Sequence, residues 1–198
     1  TGVSANDAHE NVGLRITLLE GDKVRVADAL DEEITTLDKA VVGAFTAIPD
    51  DAKPGDLVFS LQLDPYEHSL RHVGTHVLAT ELSRDGIQEA LEAGRAFVAF
   101  DWIADARGFD FHAEDAAGRH EAGSRLALAA APATTRLVGR APLAGHWKVF
   151  NRGKIVHEAD GDALDYAVAS PGNHRVELWL DVAGRPLPWV LSNPIYVE

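Results

Sequence analysis

Residues 175–182 read RVELWLDV, and this stretch decides most clearly which kind of fold the chain adopts. Val176, Leu178 and Leu180 occupy every second position and alternate with Glu177, Trp179 and Asp181. Because successive side chains of a β-strand point to opposite faces, this alternation predicts a strand with one buried face. We therefore expect this part of the chain to be layered β-structure.

Further short strands surround this one at intervals that are typical of a β-sandwich. The candidates recur about every 8–12 residues and are separated by turn signals. One of these turns, residues 151–154 (NRGK), favours a hairpin. We therefore predict a small antiparallel, Ig-like β-sandwich domain over residues 114–198, with a separate sandwich from about residue 120 onward. The predicted strands are residues 125–130, 136–140, 146–150, 155–159, 164–169, 175–182 and 187–191.

The first half of the chain has a different pattern, which predicts α/β structure. A helix is expected over residues 84–93, where apolar residues at 87, 90 and 91 fall on one face. Ser83 is a good N-cap for this helix, and Gly94 is suited to end it. A buried strand is expected to follow at residues 96–103, and a helix followed by a strand is typical of an α/β unit. We therefore predict an α/β domain over residues 1–113. Its other candidate strands are residues 3–5, 14–19, 23–27 and 57–63.

Charge and composition exclude several classes of protein. Lys and Arg number 18 against 31 Asp and Glu, which gives a formal net charge of −13, so we expect no nucleic-acid partner. No run of about 18 apolar residues occurs, so we expect no membrane span. The chain contains no cysteine, which removes disulfides, thiol catalysis and Cys-ligated zinc.

Asp7 and His9, near the start of the chain, form a pattern that can hold a metal ion. They are two residues apart, so in an extended chain their side chains point to the same side. A carboxylate oxygen and an imidazole nitrogen together provide half of a site for a divalent cation. Taken alone, however, Asp-x-His is more typical of a solvated loop with an Asx-type turn.

Three other histidines, His68, His72 and His76, are four residues apart and would form one stripe on a helix. Such a stripe can bind a metal ion. Gly74 interrupts the segment, however, and favours a half-exposed surface or a single structural histidine. The histidines of the second half, among them His112, are expected at the surface.

Other polar and aromatic residues have a structural and a functional interpretation. Asp101 and Asp105 lie at the end of a predicted buried strand, where a carboxylate can be catalytic but is more often a cap or loop residue. Trp147, Trp179 and Trp189 fall in the predicted sandwich. An exposed aromatic row would indicate sugar binding, whereas core packing is the usual role of tryptophan and is what we expect.

Six segments are informative when they are taken in order: residues 1–9 (TGVSANDAH), 64–67 (DPYE), 75–79 (THVLA), 89–101 (EALEAGRAFVAFD), 175–180 (RVELWL) and 188–197 (PWVLSNPIYV). Together they resemble one family, the PHP (polymerase and histidinol phosphatase) metal-dependent phosphoesterases. Residues 1–9 look like the last metal-binding motif of that family. The later segments resemble the stretch, and the small C-terminal sandwich domain, that follow in a subgroup of exported-looking members.

This resemblance implies a fold, a cofactor and an activity. In the family, the Asp and His of the motif ligate catalytic metals at the rim of a distorted β/α barrel. The chain would therefore be the end of a PHP-type barrel followed by the sandwich. Asp7 and His9 would hold divalent ions (Zn, Mn or Fe), and the substrate would be a small phosphorylated molecule. The implied reaction is metal-assisted hydrolysis of a phosphate ester, in which the ions lower the pKa of a bound water.

The sequence leaves a second function open. The family's earlier His-x-His pair and further ligands do not precede Thr1, so we expect a C-terminal portion that is a poor catalyst alone. The alternative is a non-catalytic binding or scaffolding module that contacts a glycan or a protein through the β-sandwich. An appended sandwich is compatible with an exported or periplasmic protein, and the sequence leaves the compartment and the oligomeric state open.

Overall fold

A computed structural model describes residues 1–6, 12–128 and 135–198 of the chain. The chain forms two compact units, one made of Asn6–Leu70 and the other of Thr1–Ala5 together with Arg71–Glu198. Both units are built mainly from antiparallel β-strands. The antiparallel β-structure expected from the alternating pattern is therefore confirmed.

The smaller unit, Asn6–Leu70, is a four-stranded antiparallel sheet with short helices. Its elements are β1 (Gly13–Leu18), β2 (Lys23–Ala27), β3 (Glu33–Asp38), α1 (Lys39–Gly43), β4 (Leu57–Gln62) and α2 (Tyr66–Ser69). The strands lie in the order β3-β2-β1-β4. Ile16, Leu18 and Val24, with Val42 of α1, form its buried core. The strands predicted at residues 14–19, 23–27 and 57–63 are thus confirmed to within about one residue.

The larger unit is organised around a ten-stranded sheet. Its elements are β5 (Gly74–Val77), α3 (Arg84–Ala93), β6 (Ala96–Ala99), β7 (Asp110–Asp115), β8 (Gly118–Glu121), β9 (Arg125–Leu126), β10 (Arg136–Asn151), β11 (Lys154–Ala167), β12 (Gly172–Val182), β13 (Arg185–Ser192) and β14 (Ile195–Val197). The strand order is β5-β6-β13-β12-β10-β7-β8; β11 pairs with β10, and β14 pairs with β12 and β9. Among these described pairs, β14 with β9 is the parallel one.

Two tryptophans lie at the centre of the larger core. Trp147 on β10 and Trp189 on β13 are fully buried, which confirms the core role expected of them. The indole Nε1 of Trp147 donates to the carbonyl oxygen of Gly161 at 3.0 Å, and that of Trp189 donates to Ala104 at 2.8 Å. A Cβ at Gly139 would lie 2.8 Å from the Trp147 ring, so the glycine allows the indole to pack directly on the strand.

Two long strands replace four of the predicted short ones. β10 spans both residues 136–140 and 146–150, and β11 covers the strand predicted at 155–159 and most of the one predicted at 164–169. The register between β10 and β11 shifts between Arg140 and Gly145. Pro142 lies in this irregular stretch, where a residue without a backbone N–H is tolerated. The break between the strands predicted at 136–140 and 146–150 is therefore a bulge inside a continuous strand.

The helix predicted at residues 84–93 is confirmed, but the α/β architecture around it is wrong. Ser83 Oγ accepts the N–H of Gly86 at 3.0 Å, and Gly94 ends the helix with φ at 79°. The strands on either side of α3, β5 and β6, pair antiparallel, so the helix joins two strands of a hairpin-like arrangement rather than a parallel βαβ unit. The described residues thus do not form the α/β portion of a PHP-type barrel.

The sheet also crosses the predicted domain boundary. Residues 113 and 114 both lie inside β7, and β5 to β8 belong to the same sheet as β9 to β14. The strands from residue 120 onward are therefore antiparallel as expected, but they do not form a separate sandwich. Residues 3–5, expected to end a strand, carry no regular secondary structure. Backbone N–H groups on either side of Val3 instead donate to the side chains of Asn193 and Thr75.

Candidate functional site

Asp7 and His9, the predicted metal ligands, lie outside the described residues, so their placement stays a prediction. The segment just before them is fixed on the larger unit at two points. The N–H of Gly2 donates to Asn193 Oδ1 at 2.7 Å, and the N–H of Ser4 donates to Thr75 Oγ1 at 2.9 Å. The Ser4 and Thr75 hydroxyls are also 3.0 Å apart. The approach to the motif is therefore anchored by side-chain hydrogen bonds.

The described residues contain no group of three or more His, Asp or Glu side chains that could hold a metal ion. His68, His72 and His76 do not form a helical stripe, and their exposed or half-exposed positions agree with the surface interpretation that Gly74 favoured. His68 belongs to the short helix α2, whereas His76 belongs to strand β5 and His72 precedes it in a turn. The four-residue spacing therefore does not align the three imidazoles, because the segment is not one helix.

His76 instead pairs with Asp101, the carboxylate that follows β6. The distance between His76 Nε2 and Asp101 Oδ2 is 2.8 Å, and the imidazole stacks on Phe97 with ring centroids 4.7 Å apart. The other carboxylate oxygen accepts the N–H of Ala106 at 3.4 Å. A carboxylate on one ring nitrogen fixes the orientation and tautomer of an imidazole, which is how ligating and proton-transferring histidines are prepared.

The loop after Asp101 carries a second carboxylate, Asp105, on the protein surface. Hydrogen bonds from the Arg107 side chain, then from its backbone N–H, lower the pKa of Asp105 to about 2. This group is thus ionised across the physiological range and is neutralised by its neighbour. It behaves as the loop residue that the sequence favoured, since nothing around it prepares it for proton transfer.

His112 on β7 is a further departure from the sequence prediction, because it is buried rather than exposed. Its Nδ1 lies 3.0 Å from Asp110 Oδ2, and its Nε2 lies 3.1 Å from Glu114 Oε1. Arg119 of β8 adds ion pairs to Asp110 and Glu121. Burial opposes ionisation of Asp110, but Arg119 and His112 together hold its pKa below the ordinary value. Nε2 is hydrogen-bonded to Glu114, and Nδ1 lies at ion-pair distance from Asp110 without a hydrogen bond, so the cluster is a buried charge network.

Trp179 departs from the core role predicted for it and lies half-buried on the outer face, the side of β10, β11 and β12 that points away from the core. Its Nε1 donates to Glu177 Oε2 at 3.0 Å, and the same carboxylate accepts from Arg175 at 2.6 Å. The Lys148 ammonium lies 4.0 Å from the centroid of the indole ring. The sequence alternation indicates this outward position, since Trp179 is next to the buried Leu178 on the same strand.

His146 lies beside Trp179 on the outer face. Its Nδ1 is 2.8 Å from Asp160 Oδ1 and its Nε2 is 3.1 Å from Glu158 Oε1. Hydrogen bonds to Asp160 and then to Glu158 raise its pKa above the ordinary value. These residues border a groove of about 500 Å³, which we call the Trp179 groove. Its lining includes Gly145, His146, Lys148, Asp160, Trp179 and Asp181.

No known protein family, curated protein or solved structure matches this chain. In the described part of the chain, no helix is long and apolar enough to cross a membrane. Functional assignment therefore depends on the chain's own residues.

Proposed function

We propose that this chain takes part in metal-dependent hydrolysis of phosphate esters, with Asp7 and His9 as metal ligands. The observation that carries the proposal is the sequence order: an Asp-x-His motif followed by the segments that resemble the PHP phosphoesterases. A carboxylate oxygen and an imidazole nitrogen suit Zn, Mn or Fe. The donor set thus fits the divalent ions that the resemblance implies.

The chemistry divides between the ions and the chain. Bound divalent ions supply a water of lowered pKa and neutralise charge on the phosphoryl oxygens of a small phosphorylated substrate. Asp7 and His9 bind and position metal, and neither acts as a nucleophile. The chain's charge of −13 does not oppose an anionic substrate, because the ions dominate the local field.

The fold narrows the proposal. The described strands are mainly antiparallel, so in this proposal they form an accessory β-structure of the Ig-like kind. Zinc sites normally have three or four protein ligands. Asp7 and His9 would supply two of these ligands, and a working centre needs at least one more.

Calorimetric measurement of Mn²⁺ binding tests the ligand assignment. The site variants are Asp7→Asn and His9→Gln, and the matched controls are Asp22→Asn and His157→Gln. We expect weak binding that both site variants lower by about tenfold or more, while the two surface controls keep it. Hydrolysis of p-nitrophenyl phosphate by this chain is expected to be slow at best, because two ligands do not fix the geometry for in-line attack. Equal Mn²⁺ binding in all variants would refute the ligands, and efficient metal-dependent turnover would refute the two-ligand argument.

A further inference from the structure

The Trp179 groove combines small residues with polar and aromatic side chains. Gly161 borders it with open space where a side chain would lie, and the concavity measures about 500 Å³. A volume of this size lies within the range of small-molecule sites, about 300–1,000 Å³. The space is therefore large enough for a ligand of several rings.

Its aromatic residue is held rigidly. The Glu177 side chain is only 15% exposed, and it accepts hydrogen bonds from both the Trp179 indole and the Arg175 guanidinium. A ring that is fixed before binding loses little conformational freedom when a ligand stacks on it. Trp179 is thus a preorganised apolar surface beside open space.

Groups of both charge signs lie around the ring. His146 and Lys148 contribute donors, and Asp160 and Asp181 contribute acceptors, so the groove combines both signs in a chain whose net charge is −13. A polyanion is repelled by the chain as a whole, and a polycation meets the two basic groups at the groove. Charge complementarity therefore favours an uncharged ligand that both donates and accepts hydrogen bonds.

We propose that the Trp179 groove binds a neutral glycan. The apolar C–H face of a sugar ring packs on Trp179, and its hydroxyls donate to Asp160 and accept from Lys148. Lys148 now lies over the indole, and its flexible four-carbon stem lets the ammonium move to a sugar hydroxyl. The proposal locates a binding surface for the glycan-binding alternative that the sequence left open. It does not depend on metal binding by Asp7 and His9.

Affinity electrophoresis tests this proposal on the whole chain. The protein is run in native gels containing xylan, mannan, starch or hydroxyethylcellulose, with alginate as the polyanionic counterpart. We expect retardation by at least one neutral polysaccharide, weakened about tenfold or more by Trp179→Ala. The matched control is Trp102→Ala, since Trp102 is 55% exposed in the same unit and lies away from the groove. It should leave retardation unchanged.

A second variant keeps the test decisive if Trp179→Ala fails to fold. The Asp160 side chain is 86% exposed, so Asp160→Asn leaves the packing intact and is expected to weaken retardation several-fold. Retardation in alginate alone, or in none of the gels, would overturn the proposal. So would retardation that neither groove variant reduces.

Discussion

The two units of this chain bury their apolar residues to very different extents. The larger unit has a continuous core around Trp147 and Trp189, with both indole N–H groups paired. The smaller unit buries few side chains, and Phe45, an aromatic residue, is 89% exposed. Because stability grows with buried apolar area, the larger unit is expected to be the more stable folding unit and the smaller one to be marginal.

The largest effect is expected from Trp147→Ala in the larger core. The change removes a fully buried indole and leaves the carbonyl of Gly161 without its partner, so the free energy of unfolding should fall by about 3–5 kcal/mol. Chemical denaturation followed by circular dichroism measures this loss. Trp102→Ala is the control and should change stability by less than about 0.5 kcal/mol. Equal losses in the two variants would contradict the core assignment.

Leu18→Ala tests the smaller unit and should have the next largest effect, about 2–4 kcal/mol. Leu18 is buried in the small core of the four-stranded sheet, so its loss should open that sheet locally. Hydrogen exchange should then show faster exchange in β1 and β2, with β10 and β12 still protected. Leu63→Ala, at an exposed position of the same unit, should not change the pattern. Uniform acceleration in both sheets would mean that the units unfold together.

The smallest effect concerns pH and the buried His174 of β12. Neither ring nitrogen has a hydrogen-bond partner among the described residues, and burial lowers its pKa. The unfolded state therefore binds a proton more readily, so stability contributed by neutral His174 is complete above about pH 6.5 and declines as the pH falls below it. One proton limits the slope to about 1.4 kcal/mol per pH unit.

Comparison of the native chain with His174→Leu isolates that contribution. The raised pKa of His146 acts in the opposite direction, since its stabilisation is lost as the pH rises, and it is present in both proteins. The native chain should lose stability faster than the variant between about pH 6.5 and 5. Parallel curves would show that the protonation of His174 is not linked to folding.

Local signals predicted local structure well. Ser83, the apolar face and Gly94 located α3 because capping and helical periodicity depend on neighbouring residues. Alternation likewise located β12. The antiparallel pairing of β5 with β6 was missed, because the choice of strand partner depends on residues far apart in sequence. A helix followed by a strand fits parallel and antiparallel pairing of the flanking strands equally well.

Contacts in the candidate sites likewise depend on residues that are far apart in sequence. His76 and Asp101 are 25 residues apart, so their ion pair becomes visible only once β5 and β6 are adjacent. Alternation with the buried Leu178 predicts an outward-facing Trp179. The general preference of tryptophan for protein cores predicts the opposite, and here the alternation is correct. Asp7 and His9 are the opposite case, since two-residue spacing and family resemblance alone identify them.

The central claim is that metal chemistry belongs to Asp7 and His9 rather than to the described β-structure. NMR of the isotopically labelled chain during titration with paramagnetic Mn²⁺ tests it directly, because the ion broadens signals of nearby amides. We predict that broadening at low Mn²⁺ is strongest for the amides around Asp7 and His9. Broadening centred on His76 and Asp101, or spread evenly over the acidic surface, would contradict the claim.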